Sequence, residues 1–166
     1  YAFGMSEPIR DTTYLLNFPI DTPAFKEIIF KRPLYHRLMQ HDENFKLYHK
    51  YFDQLLNNFF KNGQYEIFFE KYTSLIDPYV ENDPTAFCSF EDYKLAVRTL
   101  KRWVEIRSES IDKQLKGEYP STIKEMNENE DLKIKADIDI RDLGDFDDLK
   151  ECQKRQSAVF QKLCAK

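Results

Sequence analysis

Few residues in this chain have types and spacings that bear on chemistry. His41 and His49 lie eight apart in one helical stretch, roughly 12 Å along the axis at about 1.5 Å per residue, too far to share a metal ion. His36 belongs to another segment, and neither HExxH nor a facial-triad spacing occurs, so the histidines read as surface or core residues. Asp137, Asp139, Asp142, Asp145, Asp147 and Asp148 suggest calcium at first sight. An EF-hand loop needs oxygen ligands at positions one, three, five and twelve and glycine at six, and Arg141 puts a cation at the fifth. A solvated, charge-guarded strand edge accounts for these acids better. Cys88 has no histidine in its segment and GxSxG is absent, which removes the usual nucleophile arrangements. The aromatic run Phe45 to Phe60 suits a ligand pocket or, more simply, a core. Arg107 is the most informative residue, because a guanidinium on an apolar helix face is costly unless paired. It is either half of a buried ion pair that docks the last helix, or an arginine that holds a catalytic acid or a phosphate. No catalytic, cofactor-binding or metal-binding set is assigned from the residues alone.

The elements that carry these residues follow from periodicity. Residues 1–23, with Pro8, Pro19 and Pro23 and little period, read as an extended lead-in. Pro33 suits a first helical turn, with Leu34, Leu38 and Met39 on one face. Asp42 can cap a second helix with Phe45, Tyr48, Phe52, Leu55 and Phe59 on its apolar side, stopped by Asn62-Gly63. A third carries Phe68, Tyr72, Leu75, Ile76 and Tyr79, with Pro78 bending or interrupting it, and Asn82 to Thr85 is a turn. Ser89 opens the longest helix in a capping-box pattern with Asp92. Its expected core stripe is Tyr93, Val97, Leu100, Val104, Ile111 and Leu115, with Arg107 in the gap and Gly117 at the end. The expected fold is mainly α, a helical bundle over residues 1–122, followed by an acidic tail over 123–166. Within the tail, Lys133 to Arg141 alternates with Ile134, Ala136, Ile138 and Ile140 on one side, a short β-strand pattern that needs an edge to pair with. Phe146, Leu149, Val159, Phe160 and Leu163 suggest a closing amphipathic helix.

Composition bounds the rest. The 166 residues weigh 20.0 kDa, and 14 Phe, 10 Tyr and one Trp make the chain heavy and able to fill a core. Four glycines argue against a glycine-rich phosphate loop and most turn-dense sandwiches. The net charge of −4 argues against a general nucleic-acid binder, and Glu118 to Glu151 alone holds twelve acids and five bases. Three cysteines (Cys88, Cys152, Cys164) cannot all pair and show no CxxC spacing, so a disulfide scaffold is not expected. No run of eighteen apolar residues is present, so no membrane span is expected. There is no cleavable signal, and the chain opens Tyr1-Ala2-Phe3 as a piece cut from something longer would.

Several phrases together resemble the C-terminal portion of the CotH family, the spore coat protein H-like atypical protein kinases. Arg32-Pro33-Leu34-Tyr35-His36-Arg37-Leu38 resembles a short helix near the end of the family's kinase-like core, and Tyr48-His49-Lys50-Tyr51-Phe52 with Leu55-Leu56 the helix after it. Leu75 to Thr85 (LIDPYVENDPT), Lys101 to Arg107 (KRWVEIR) continuing through Ser110 to Leu115, and Gly117 to Thr122 (GEYPST) are similar to family phrases. Tyr1-Ala2-Phe3-Gly4 looks like the close of the family's Trp-Asp-x-Asp-x-Ala-Phe-Gly segment. The resemblance covers Arg32 to Thr122 and the first four residues.

What the resemblance implies is ATP-dependent, Mg2+-supported phosphorylation of protein Ser/Thr residues, in members found in spore coats, on fungal cell surfaces or with cellulosomes. The implied metal-binding aspartate falls before Tyr1, and the nucleotide-gripping lysine and catalytic aspartate further upstream. The part in hand is then expected to be a helical C-terminal lobe. It binds no ATP or metal alone, and its implied partners are the N-terminal kinase lobe and a protein substrate. Arg107 falls on a family arginine, with no catalytic role carried over. The alternative from the residues is a non-catalytic helical interaction or structural module, with the strand Lys133 to Arg141 adding to a partner sheet.

Overall fold

The computed structural model describes residues 11–23, 31 and 33–144. Its axis is the long helix, here α5, Phe90–Leu115. It starts where Ser89 Oγ accepts from the Asp92 N–H (3.1 Å) and the Asp92 carboxylate accepts from the Ser89 N–H (3.2 Å), the reciprocal cap expected from the sequence. It ends at Gly117, whose φ of +71° favours glycine. The Gly117 N–H bonds Gln114 O and the Glu118 N–H bonds Lys113 O, a Schellman closure.

The buried face of α5 is not the expected stripe. Thr99, Trp103, Ile106, Ser110 and Gln114 are buried, whereas Leu100 is exposed. What packs on this helix is partly irregular backbone, whose N–H and C=O groups must be bonded once out of water. Ser110 and Gln114 do that, so a polar half-stripe is buried where an apolar one was expected.

One of those irregular segments was read as a lead-in, and the structure corrects this. Asp11 Oδ1 accepts from the Tyr14 N–H and caps a short helix, α1, Thr12–Leu16. Leu15 and Leu16 are almost wholly buried and join Trp103, Ile106 and Ile140 in the core, with Tyr14, Val104, Ile134, Ala136, Ile138 and Leu143 packed around them. Five residues of helix are too few to show a 3.6-residue period, which is why the sequence hid it.

The other segment is Lys133 to Arg141. Its alternation is real in one respect, since Ile134, Ala136, Ile138 and Ile140 all turn to the core. The strand itself is corrected, because no strand is present among the described residues and Ile140–Leu143 is a 310 turn. The Ile134, Ala136 and Ile140 N–H groups donate to Asn17 Oδ1 (3.0 Å), Thr13 Oγ1 (3.1 Å) and Thr12 Oγ1 (3.0 Å). Polar side chains of α1 and its C-cap thus stand in for the missing partner strand. The closing helix expected over Phe146 to Leu163 lies outside the described residues, as do Tyr1 to Gly4.

The remaining helices are α2 (Pro33–Met39), α3 (Asp42–Leu55), α4 (Gln64–Glu81) and α6 (Ile123–Glu128). His41 rather than Asp42 occupies the N-cap of α3. A π-turn, Leu56–Phe60, follows α3 and closes with the Lys61 N–H on Leu56 O (2.8 Å). Pro78 sits in the last turns of α4, which continues to Glu81. α3 buries no residue, and α4 buries only Tyr65.

α4 is turned over relative to expectation. Glu66, Phe69, Thr73, Asp77 and Val80 form its sheltered side, and Phe68, Tyr72, Leu75, Ile76 and Tyr79 are exposed. Its docking on α5 is polar. Tyr93 Oη donates to Asp77 Oδ1 (2.8 Å), Lys94 Nζ donates to Asp77 Oδ2 (2.7 Å) and Lys101 Nζ reaches Glu70 (3.2 Å). The Lys94 ammonium, then the Tyr93 hydroxyl, hold the Asp77 carboxyl below its ordinary range, while burial and Asp77 push Tyr93 up to about 12. Among the described residues, no helix is long and apolar enough to cross a membrane.

Candidate functional site

Residues 16–22 form an irregular run between α1 and the rest of the bundle, and side chains from three helices converge on it. Arg107 Nη1 of α5 donates to Leu16 O (2.9 Å). From the same helix, Gln114 Nε2 donates to Asn17 O (3.3 Å) and its Oε1 accepts from the Ile20 N–H (3.0 Å). Tyr48 Oη of α3 donates to Ile20 O (2.7 Å), and Tyr35 Oη of α2 to Asp21 O (3.1 Å). The Asp21 N–H bonds Ser121 O (2.9 Å), and Thr22 Oγ1 accepts from the Ile123 N–H (2.8 Å) at the start of α6.

Side chains complete this clamp. His49 Nε2 lies 2.7 Å from Asp21 Oδ1, with the Asp21 side chain 7% exposed. Asn17 is a four-bond hub. Its Nδ2 donates to Thr13 O (2.7 Å) and Ile134 O (2.8 Å), and its Oδ1 accepts from Ser110 Oγ (3.3 Å) and the Ile134 N–H (3.0 Å). Two carbonyls on one side and two donors on the other leave a single amide orientation.

Electrostatics follows burial. Tyr48 is pushed well above the ordinary phenol value, chiefly by burial, and Arg107 pulls it the other way. Arg107 is itself drawn down to about 10 by desolvation. The expected carboxylate partner is not there, since no acid among the described residues pairs with this guanidinium, and its acceptor is a backbone carbonyl. A guanidinium on a carbonyl keeps its charge without a counter-ion, so Arg107 tethers α5 to the end of α1 rather than closing an ion pair.

The other candidates do not converge. His36 Nε2 is 3.1 Å from Gln40 Nε2, and His41 is exposed at the α3 N-cap, so His49 alone joins the clamp. Asp137 pairs with Arg102 (2.7 Å) and Asp139 with Arg141, which lowers both carboxyl pKa values. Cys88 is half-buried. The aromatic run lines no pocket with its α3 members, whose rings stack in pairs such as Tyr48–Phe52 at 4.9 Å. A shallow groove of about 350 Å³ does lie between the π-turn, α4 and α5, bordered by Phe60, Tyr65, Glu66 and Asp112. There Lys61 already holds Asp112 (2.6 Å), and burial pushes Tyr65 up to about 12.

Among the described residues, no three metal-ligating side chains come together. A Mg-nucleotide needs converging carboxylates and charge-neutralising donors, and the clamp spends its donors on backbone carbonyls, so these residues do not fit one. What the arrangement does is fix an irregular backbone in place. Sequence reasoning singled out Arg107 and His49, which take part, but missed Asn17, Asp21, Tyr35 and Gln114. The available signal was a polar Asn and Asp beside two prolines, which marks a bend without naming its partners.

A family model described as CotH kinase protein matches residues 15–111, more than half of the chain. No curated protein and no solved structure matches it.

Proposed function

Because the chain belongs to the CotH family, we propose that it is the helical C-terminal lobe of a CotH-like protein Ser/Thr kinase. In this reading it braces a catalytic centre that other residues of the same protein supply. The observation that carries the proposal is the clamp on residues 16–21, inside the family match, where side chains of α2, α3 and α5 take up the backbone groups one after another. Phosphoryl transfer depends mostly on positioning and charge neutralisation, so a rigid support immediately after the catalytic segment contributes by holding that segment still. ATP and Mg2+ would bind the catalytic part, with a protein as substrate; coat or cell-surface placement is the setting the family suggests.

The test is differential scanning fluorimetry with Mg-ATP. Residues 1–166 should show no shift, and the protein extended through the reading frame upstream of Tyr1 should show one and phosphorylate protein. Clear nucleotide binding by residues 1–166 alone overturns the assignment. A second reading, a non-catalytic interaction module, is favoured by one observation, the apolar side that α4 presents to solvent. An extended protein with a Trp-Asp segment abutting Tyr1 but no phosphotransfer would support it.

A further inference from the structure

The outward side of α4 is the least explained surface of the fold. Phe68, Leu75 and Tyr79 are 51%, 58% and 75% exposed, and Ile67, Tyr72 and Ile76 are exposed beside them. Phe68, Tyr72, Leu75 and Tyr79 follow one another at steps of four, three and four, the spacing of a coiled-coil seam. Six side chains of about 150–250 Å² each, a little over half exposed, make roughly 650 Å² of apolar surface. Apolar patches on monomers seldom exceed a few hundred Å², and a stable interface takes about 800 Å² per partner.

Charge selects among occupants. Asp77 and Glu70 are tied to Tyr93, Lys94 and Lys101 of α5, so they do not border the seam. Its one charged border residue is Lys71, which lies 5.6 Å over the Tyr72 ring. A basic partner, including the chain's own Lys- and Arg-rich residues 150–166, finds no acid to pair with there. A second, nearly neutral α4 meets no repulsion.

We infer that the outward side of α4 is a self-association surface, on which a second copy of this chain packs its own α4 antiparallel about a two-fold axis. With the axis between Thr73 and Ser74, Tyr72 of one copy faces Leu75 of the other and Phe68 faces Tyr79. Each pairing sets a ring against a matching apolar group, and Lys71 lies opposite Ile76, where its stem covers apolar surface. The inference is independent of the kinase reading, because it uses only α4.

Sedimentation velocity on the whole chain from 1 to 300 μM tests it. A dimer is expected, with Leu75→Glu and Tyr72→Lys each weakening association at least tenfold while the circular dichroism melt stays unchanged. The double variant Tyr72→Lys/Leu75→Glu should associate again, since each lysine then faces a glutamate of the other copy. A monomer at every concentration overturns the inference, and so does a dimer indifferent to Leu75→Glu. So, too, does a monomer in which hydrogen exchange shows α4 protected until residues 145–166 are deleted, because the chain's own tail is then the occupant.

Discussion

Replacing Asn17 with Ala should unlatch Lys133 to Leu143 from the rest of the fold. The change removes four hydrogen bonds at once, to Thr13 O, Ile134 O, Ser110 Oγ and the Ile134 N–H. Each is worth about 0.5–1.5 kcal/mol net, and Ser110 is fully buried, so its hydroxyl keeps only the Gln114 amide as a partner. Ile134 is only half-buried, so water repairs part of its loss. The sum is about 3 kcal/mol. For a chain of this size that lowers Tm by about 9 °C, at about 2–4 °C per kcal/mol. Urea unfolding followed at 222 nm gives the free energy, and hydrogen exchange gives the location. Amide protection should fall at Ile134, Ala136 and Ile140 before it falls in α5. Asn17→Asp should be at least as damaging, because a carboxylate oxygen then faces the Thr13 and Ile134 carbonyls, and acid should ease it. A loss under 0.5 kcal/mol, or an Ile134 amide that stays protected, would refute the hub.

Arg107→Met should cost no more than about 2 kcal/mol. The lost charged hydrogen bond to Leu16 O, about 1.5–3 kcal/mol, is offset by relief of the desolvation that draws the group from 12.5 to about 10, on the order of 3 kcal/mol. A loss above 4 kcal/mol would reveal a buried counter-ion after all. The folded pKa is lowered for a base, so the penalty is present below about pH 10 and relieved above it; wild type should gain on the Met variant only there. Asp77→Asn should loosen α4 from α5 at pH 7. Because the folded Asp77 pKa lies below 3.8, its contribution is present above that value and lost as pH falls through the folded one, so paired acid melts of wild type and variant should converge.

What the residues settled by themselves was local. Ser89 with Asp92, Gly117, the Asn62-Gly63 stop and the helical periods needed only neighbours a few positions away, and all appear in the fold. The alternation from Ile134 to Ile140 likewise told truly which side chains turn inward. Which apolar face finds a partner is a different kind of fact. Phe68 to Tyr79 and the Leu100 side of α5 have the pattern of core and stay open, while Leu15 and Leu16, with no visible period, are buried. Periodicity reports that a helix has an apolar side, not that another element of the same chain arrives to cover it. The clamp was illegible for the same reason. Arg107 contacts a carbonyl 91 positions away and Asn17 a peptide group 117 away, and a backbone acceptor has no side-chain signature to read. Only the close approach of α1 to α5 and to residues 134–140, with water excluded between them, decided that these polar groups must bond to one another.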